Sequence, residues 1–90
     1  MADDEPSVFL VTLEGVEDGD ALSVLAFVRA GTGEAAETAA VAELLGFGWS
    51  EVRALRHGEV VDAAALPADF RAAMDQALTF GSGLIIYEAP

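Results

Sequence analysis

The sequence contains no cysteine, no lysine and no asparagine, a single histidine and only four basic residues, all of them arginine. Without cysteine and lysine the chain has neither a thiol nucleophile nor an amine for Schiff-base chemistry, and one histidine cannot form a paired-histidine metal site. The lysine of phosphate-binding loops is also missing. From these absences we predict a protein that is not an enzyme and holds no metal or cofactor.

Acidic residues dominate what is present, with 16 against the four basic ones and a net charge of -12 at pH 7. Proteins bind nucleic acids and anionic membranes mainly through lysine and arginine, so direct binding to either is not expected. Hydrophobic residues make up 53% of the chain. So large an apolar fraction in 90 residues predicts apolar surface that a monomer leaves exposed, and therefore self-association.

Length and the start of the chain suggest one domain in the cytoplasm. No stretch approaches the roughly 20 apolar residues that span a bilayer, and residues 1–6 are acidic where a secretory signal would be basic. Heavy use of alanine without lysine or asparagine is typical of a GC-rich bacterial genome. We expect a flexible acidic N-terminus over residues 1–6 and a single domain over residues 7–90.

The first half of the chain contains one clear strand and one ambiguous segment. Residues 8–13 are rich in β-branched and aromatic side chains and predict a central strand, and residues 14–19 predict a loop. Residues 21–30 are favoured as a helix because Asp20 is a good N-cap and Gly31 a good terminator. As a strand the segment would form a hairpin with residues 8–13, giving a ferredoxin-like arrangement with an extra strand.

The next segments are easier to assign. Residues 34–45 predict a helix that is capped by Thr32 and ends at Gly46. Residues 50–64 predict a β-hairpin that turns at His57-Gly58. In that register Arg56 would face Glu59, and Arg53 would face Asp62.

The last part of the chain predicts a helix followed by a strand. Five apolar residues recur at the spacing of one helix face: Phe70, Ala73, Met74, Ala77 and Leu78. Pro67 stands near the helix start, glycines interrupt the helix at residues 81–83, and residues 84–87 predict a buried strand. The predicted fold is an α+β two-layer sandwich, with helices on one face of a small, mainly antiparallel sheet.

Catalytic and ligand-binding motifs are weak. His57 with Glu59 or Asp62 supplies only part of a serine triad. The carboxylates of residues 14–20 lack the spacing of a calcium loop, and residues 31–33 lack the further glycine and the lysine of nucleotide-binding loops.

One cluster favours partner binding. It comprises Phe47, Trp49, Arg53, Arg56 and His57, and it contains the only tryptophan and two of the four arginines. Tryptophan and arginine dominate binding hot spots because they combine large contact area with directed donors. The competing interpretation is structural, with the aromatic residues covering the edge of the core and both arginines paired with carboxylates.

The order of predicted elements resembles the C-terminal domain of the bacterial ribosomal stalk protein and the related adaptor of the Clp protease. Residues 22–29, residues 31–33 and the final helix-glycine-strand sequence carry this resemblance. It implies a small domain that docks onto other proteins. The families' functional residues do not transfer: of the stalk domain's basic helix face only Arg29 is kept, and the adaptor's diagnostic motif is not reproduced.

These observations favour a non-enzymatic module that binds a protein partner and also itself, through the aromatic cluster near Trp49 or through an uncovered sheet edge. An alternative is an acidic inhibitor that imitates nucleic acid and occupies a basic groove. A small-molecule-binding domain is a third hypothesis, although no convergent polar cluster in the sequence supports it.

Overall fold

The computed structural model describes residues 7–88, so the predicted flexible segment over residues 1–6 lies outside the described residues. The elements in chain order are β1 (Ser7–Glu17), β2 (Asp20–Ala30), α1 (Gly33–Gly46), β3 (Ser50–Glu59), a short 3-10 turn (Ala63–Ala65), α2 (Ala68–Phe80) and β4 (Ser82–Glu88). All three strand pairs are antiparallel, in the sheet order β3-β1-β2-β4. The fold is α+β, as predicted.

Strands β1 and β2 form a long hairpin at the centre of the sheet. They pair without interruption from Ser7 opposite Ala30 to Glu17 opposite Asp20. Only Asp18 and Gly19 form the turn, with φ angles of 53° and 85°, as a type I′ turn requires. The prediction of a loop over residues 14–19 was therefore wrong, although the central position of the first strand is confirmed.

Residues 21–30 belong to β2, so the favoured helix was wrong and the alternative strand was correct. Val24, Ala26 and Val28 are buried on one face of the sheet, and Phe27 is buried on the other. A strand that is buried on both faces has nearly continuous apolar sequence, which hides the alternation that would identify it. Asp20, the expected helix cap, is the first residue of the strand.

The two helices pack on opposite faces of the sheet. We call the face that packs against α1 face 1; it carries alternate strand residues such as Val11 and Val24. The face that packs against α2 is face 2, with Val8 and Phe27. The sequence predicted both helices on one face. The structure differs because the apolar residues of β1 and β2 point to both sides, and each side needs a cover.

Residues 50–59 form the single strand β3, so the predicted hairpin over residues 50–64 was wrong. The strand pairs along β1, with Leu10 opposite Gly58 and Val11 opposite His57. Gly58 has no positive φ angle, and the expected turn is absent from this described segment. The ferredoxin-like alternative needed two strands within residues 50–64, and the observed order of elements is ββαβαβ instead.

The remaining predictions agree more closely with the structure. The hydroxyl of Thr32 accepts a hydrogen bond from the backbone N–H of Ala35 and caps α1. Helix α2 buries Ala73, Met74 and Ala77 of the predicted apolar face, whereas Leu78 of that face is 49% exposed. The final strand is present but lies at a sheet edge, paired only with β2. Within the described residues, neither helix is long and apolar enough to cross a lipid bilayer.

Candidate partner-binding surface

Trp49 belongs to the core and not to the surface. Its side chain is 4% exposed, and it packs in the cluster between α1 and face 1. The backbone N–H of Trp49 donates to the carbonyl oxygen of Leu44 at 3.1 Å, which fixes the chain as it leaves the helix. Phe47, the C-cap residue of α1, is by contrast 63% exposed. The structure therefore separates the two aromatic residues that the sequence grouped together.

Arg53 joins β3 to the centre of the sheet. It lies opposite Glu14 in the register, and its Nη2 and Nε atoms both lie 2.6 Å from the Oε2 atom of Glu14. The predicted pairing of arginine with a carboxylate is correct in kind, but the partner is Glu14 and not Asp62. The side chain of Arg53 is 69% exposed and that of Glu14 is 44% exposed, so solvent and salt weaken this ion pair.

His57 joins β3 to α1. Its Nδ1 atom lies 2.7 Å from the Oε2 atom of Glu37, and because a carboxylate only accepts, the imidazole donates this hydrogen bond. The ring lies against Gly33 at the start of α1 and packs edge-on against Phe9, with centroids 6.1 Å apart. These contacts on three sides give the imidazole a structural role. Glu59 and Asp62, the carboxylates weighed with His57 as part of a serine triad, do not hydrogen-bond to it.

Arg56 lies on the other face, opposite Thr12 of β1. It lines a groove in face 2 whose floor is Leu10, Thr12 and Leu25, and whose wall includes Val61 and Leu66 from the segment after β3. We call this the face 2 groove. Neither ion pair of the described residues includes Arg56, so its guanidinium is available at the side of an otherwise mainly apolar surface.

The groove exists because α2 covers only part of face 2. The helix lies mainly over β4 and β2. On this face β1 and β3 are covered in part by the shorter segment at residues 60–66. Val61 is 87% exposed as a result. Leu10 and Leu25 are half-buried on the groove floor.

Of the five residues that the sequence singled out, only Arg56 and His57 border this groove, and the ring of His57 is turned away from it toward α1. The other apolar residues of the groove, Leu10, Leu25, Val61 and Leu66, were not singled out from the sequence. The alternation along β1 could have identified Leu10, since it lies on the same face as Thr12 and Glu14. Val61 was assigned to a second hairpin strand, and only the actual path of residues 60–66 brings it to the groove.

The groove offers features that suit binding. Among residues 7–88, no three acidic or histidine side chains come together in a way that could hold a metal ion. No polar or charged side chain of the described residues is fully buried. The usable features are apolar area and one guanidinium, which can bind a carboxylate through two parallel hydrogen bonds.

Comparisons of the chain with protein-family models, with curated proteins and with solved structures found no match. The resemblance to the ribosomal stalk and Clp adaptor domains stays a prediction, since none of these comparisons tests it. Residues 22–29, on which it partly depended, form strand β2.

Proposed function

We propose that this protein is a small cytoplasmic protein-interaction module without catalytic activity, and that the face 2 groove binds its partner. The observation that supports the proposal is the incomplete cover of face 2. Leu10 and Leu25 line an open groove, and Val61 exposes 87% of its surface beside them. Exposed apolar surface bordered by polar groups is characteristic of protein-binding sites.

The composition of the groove indicates which partner segment it accepts. Its apolar floor suits two or three aliphatic or aromatic side chains, and Arg56 can pair with one carboxylate of the partner. Glu59 and Asp62 also border the groove and would repel a strongly acidic segment. The partner of this proposal is therefore an apolar protein segment that carries a single acidic residue.

A capture experiment with matched variants tests this proposal. Val61→Asp places a charge in the groove, and Leu45→Asp makes the same change at a 53% exposed residue of α1 on the opposite face. Immobilised wild-type protein and both variants are incubated with lysate of the native cell, and the bound proteins are identified by mass spectrometry. We expect wild type and Leu45→Asp to retain a common partner at high salt, and Val61→Asp to lose it.

Two results would contradict the proposal. If all three proteins capture the same partner equally well, binding does not use the face 2 groove. If the captured proteins are basic and are released at high salt from all three, the acidic surface makes the contact, which favours the inhibitor that imitates nucleic acid. Far-UV circular dichroism of each variant confirms that it is folded.

A further inference from the structure

A second surface, separate from the face 2 groove, lies along the outer edge of β4. The strand pairs with β2 from Ser82 opposite Val28 to Glu88 opposite Leu22, and in the described part of the chain its other edge has no strand beside it. The register with β2 has no bulge, and residues 82–88 include no proline. A regular edge strand of this kind presents free N–H and C=O groups to any chain that can lie beside it.

The sequence around this edge carries little charge: within β4 only Glu88, at its end, is charged, and at its start the hydroxyl of Ser82 donates to the carboxylate of Glu43 in α1 at 2.9 Å. Residues 76–87 are the longest stretch of the chain without an acidic or basic residue. The stretch also holds half of the large apolar residues that are most exposed in the described structure, namely Leu78, Phe80, Ile86 and Tyr87. In a molecule with a net charge of -12, such a surface is where another copy approaches with least electrostatic repulsion.

The exposed side chains border the edge on both faces. Ile86 is 50% exposed on face 1, where α1 lies over β1, β2 and β3, and Tyr87 is 41% exposed on face 2. Phe80 is 80% exposed at the end of α2. Leu78 lies on the side of α2 that faces the 3-10 turn, and Phe80 lies about 200° from it around the helix, on the opposite side.

We propose that two copies of this chain dimerise by antiparallel pairing of their β4 strands, which joins two four-stranded sheets into one of eight strands. Antiparallel pairing of identical strands follows a two-fold axis, so the same surface serves both copies. Face 1 of one copy continues into face 1 of the other, and Ile86 meets apolar side chains of the second copy. The two α2 helices lie next to each other on face 2.

The opposite edge of the sheet does not support the same pairing. Strand β3 has irregular register with β1 at two places, and Glu51 has a φ of 53°. It carries charged side chains, including Arg53 and Glu59, along its length. Bulges and charges are the features by which natural edge strands avoid pairing with one another. The dimer therefore uses β4 alone and closes without forming filaments.

Matched charge substitutions on the two edges test the dimer. Ile86→Lys and Leu55→Lys each place an ammonium group at a side chain that is 50% exposed, the first on β4 and the second on β3. Sedimentation equilibrium of the full chain across the micromolar range measures the dissociation constant. We expect wild type and Leu55→Lys to dimerise alike, and Ile86→Lys to raise the dissociation constant more than tenfold because a charge would be buried at the interface.

Salt and crosslinking give independent results. Because both copies are acidic, added salt should strengthen the β4 dimer by screening their repulsion. The chain has no native cysteine, so Tyr87→Cys or Leu55→Cys provides the only thiol for a short bifunctional maleimide. We expect covalent dimers from Tyr87→Cys and none from Leu55→Cys.

If the wild-type protein is monomeric at every concentration, the dimer proposal is wrong. The edge of β4 would then be open to pairing with a strand of a different protein. Equal weakening by both lysine variants would also overturn it, because the interface would then not be specific to β4. These results do not depend on the face 2 groove, so Val61→Asp should still dimerise. If Ile86→Lys loses its circular dichroism signal, the crosslinking pair decides the outcome.

Discussion

The two ends of the sheet are built differently, although each consists of one helix and one edge strand. At the first end, α1 and β3 are tied together by the hydrogen bond between His57 and Glu37, and β3 is tied to β1 by the ion pair of Arg53 with Glu14. At the second end, α2 and β4 are joined mainly by apolar contacts around Ala73, Met74 and Ala77.

The starts of the two helices also differ, with more polar contacts at the first end than at the second. Thr32 caps α1 with its side chain, whereas the N-cap of α2 is Pro67 and makes no side-chain hydrogen bond. The apolar cluster under α1 is also the larger, with nine buried residues against five under α2. The first end thus has a hydrogen-bonded helix cap and polar contacts between its elements, while the second end exposes Phe80, Ile86 and Tyr87.

The largest effect is expected at Trp49, which tests whether the first end depends on its core. Trp49→Ala should lower the free energy of unfolding by about 3–5 kcal/mol because it leaves a cavity beneath α1. Phe47→Ala is the control, with a loss below about 0.5 kcal/mol at an exposed residue. Urea unfolding followed by circular dichroism measures both. Equal losses would mean that Trp49 is not the core residue described above.

Alanine substitutions at two glycines test how closely each helix packs against the sheet. A Cβ at Gly83 of β4 would overlap the backbone carbonyl of Ala73 in α2, whereas a Cβ at Gly33 would overlap only a side chain, the His57 ring, which can turn away if it gives up its hydrogen bond to Glu37. We expect Gly83→Ala to destabilise the fold by about 3 kcal/mol and Gly33→Ala by about 1 kcal/mol or less. Thermal unfolding of the two variants measures the difference. The reverse order would show that α1, and not α2, is the tightly seated helix.

The helix cap gives a smaller effect, confined to the first end. Thr32→Ala removes the acceptor for the Ala35 N–H and should lower the unfolding free energy by about 1 kcal/mol. Thr32→Ser keeps the hydroxyl and should recover most of that loss. Urea titration of both variants measures the difference, and no difference between serine and alanine would exclude a stabilising cap.

The smallest effect concerns the exposed ion pair at β3. A double-mutant cycle with Glu14→Gln and Arg53→Gln should give a coupling free energy of about 0.2–1 kcal/mol, since both side chains are largely solvated. The coupling should fall as salt is added. A coupling that stays constant in high salt would mean that the pair contributes through packing and not through charge.

Local signals correctly predicted several elements, and the reasons are visible in particular residues. The cap at Thr32 and the spacing of Ala73, Met74 and Ala77 are short-range features, and both helices were found from them. The same approach failed for residues 21–30. The helix-end signals at Asp20 and Gly31 favoured a helix, and because the strand is buried on both faces its sequence shows no apolar-polar alternation. The Asp18-Gly19 dipeptide was a usable hairpin signal, because this pair favours a type I′ turn.

Pairing over long distances could not be derived in this way. The His57-Gly58 sequence is compatible with a turn, and the register of residues 50–59 was decided by β1, some 40 residues earlier in the chain. The partners of the predicted binding cluster could not be derived from the sequence either. In the structure Arg53 pairs with Glu14, His57 pairs with Glu37, and Trp49 is buried in the core, so the cluster is divided among three environments.

By itself, the sequence determined the acidic charge, the lack of reactive groups, the α+β class and both helices, because composition and short-range spacing carry that information. The tertiary structure alone decided which helix covers which face, which side chains remain open in the face 2 groove, and that strand β4, uncharged as far as Tyr87, lies at an edge. The physical reason is that burial and strand pairing depend on residues far apart in the chain, which no local pattern specifies.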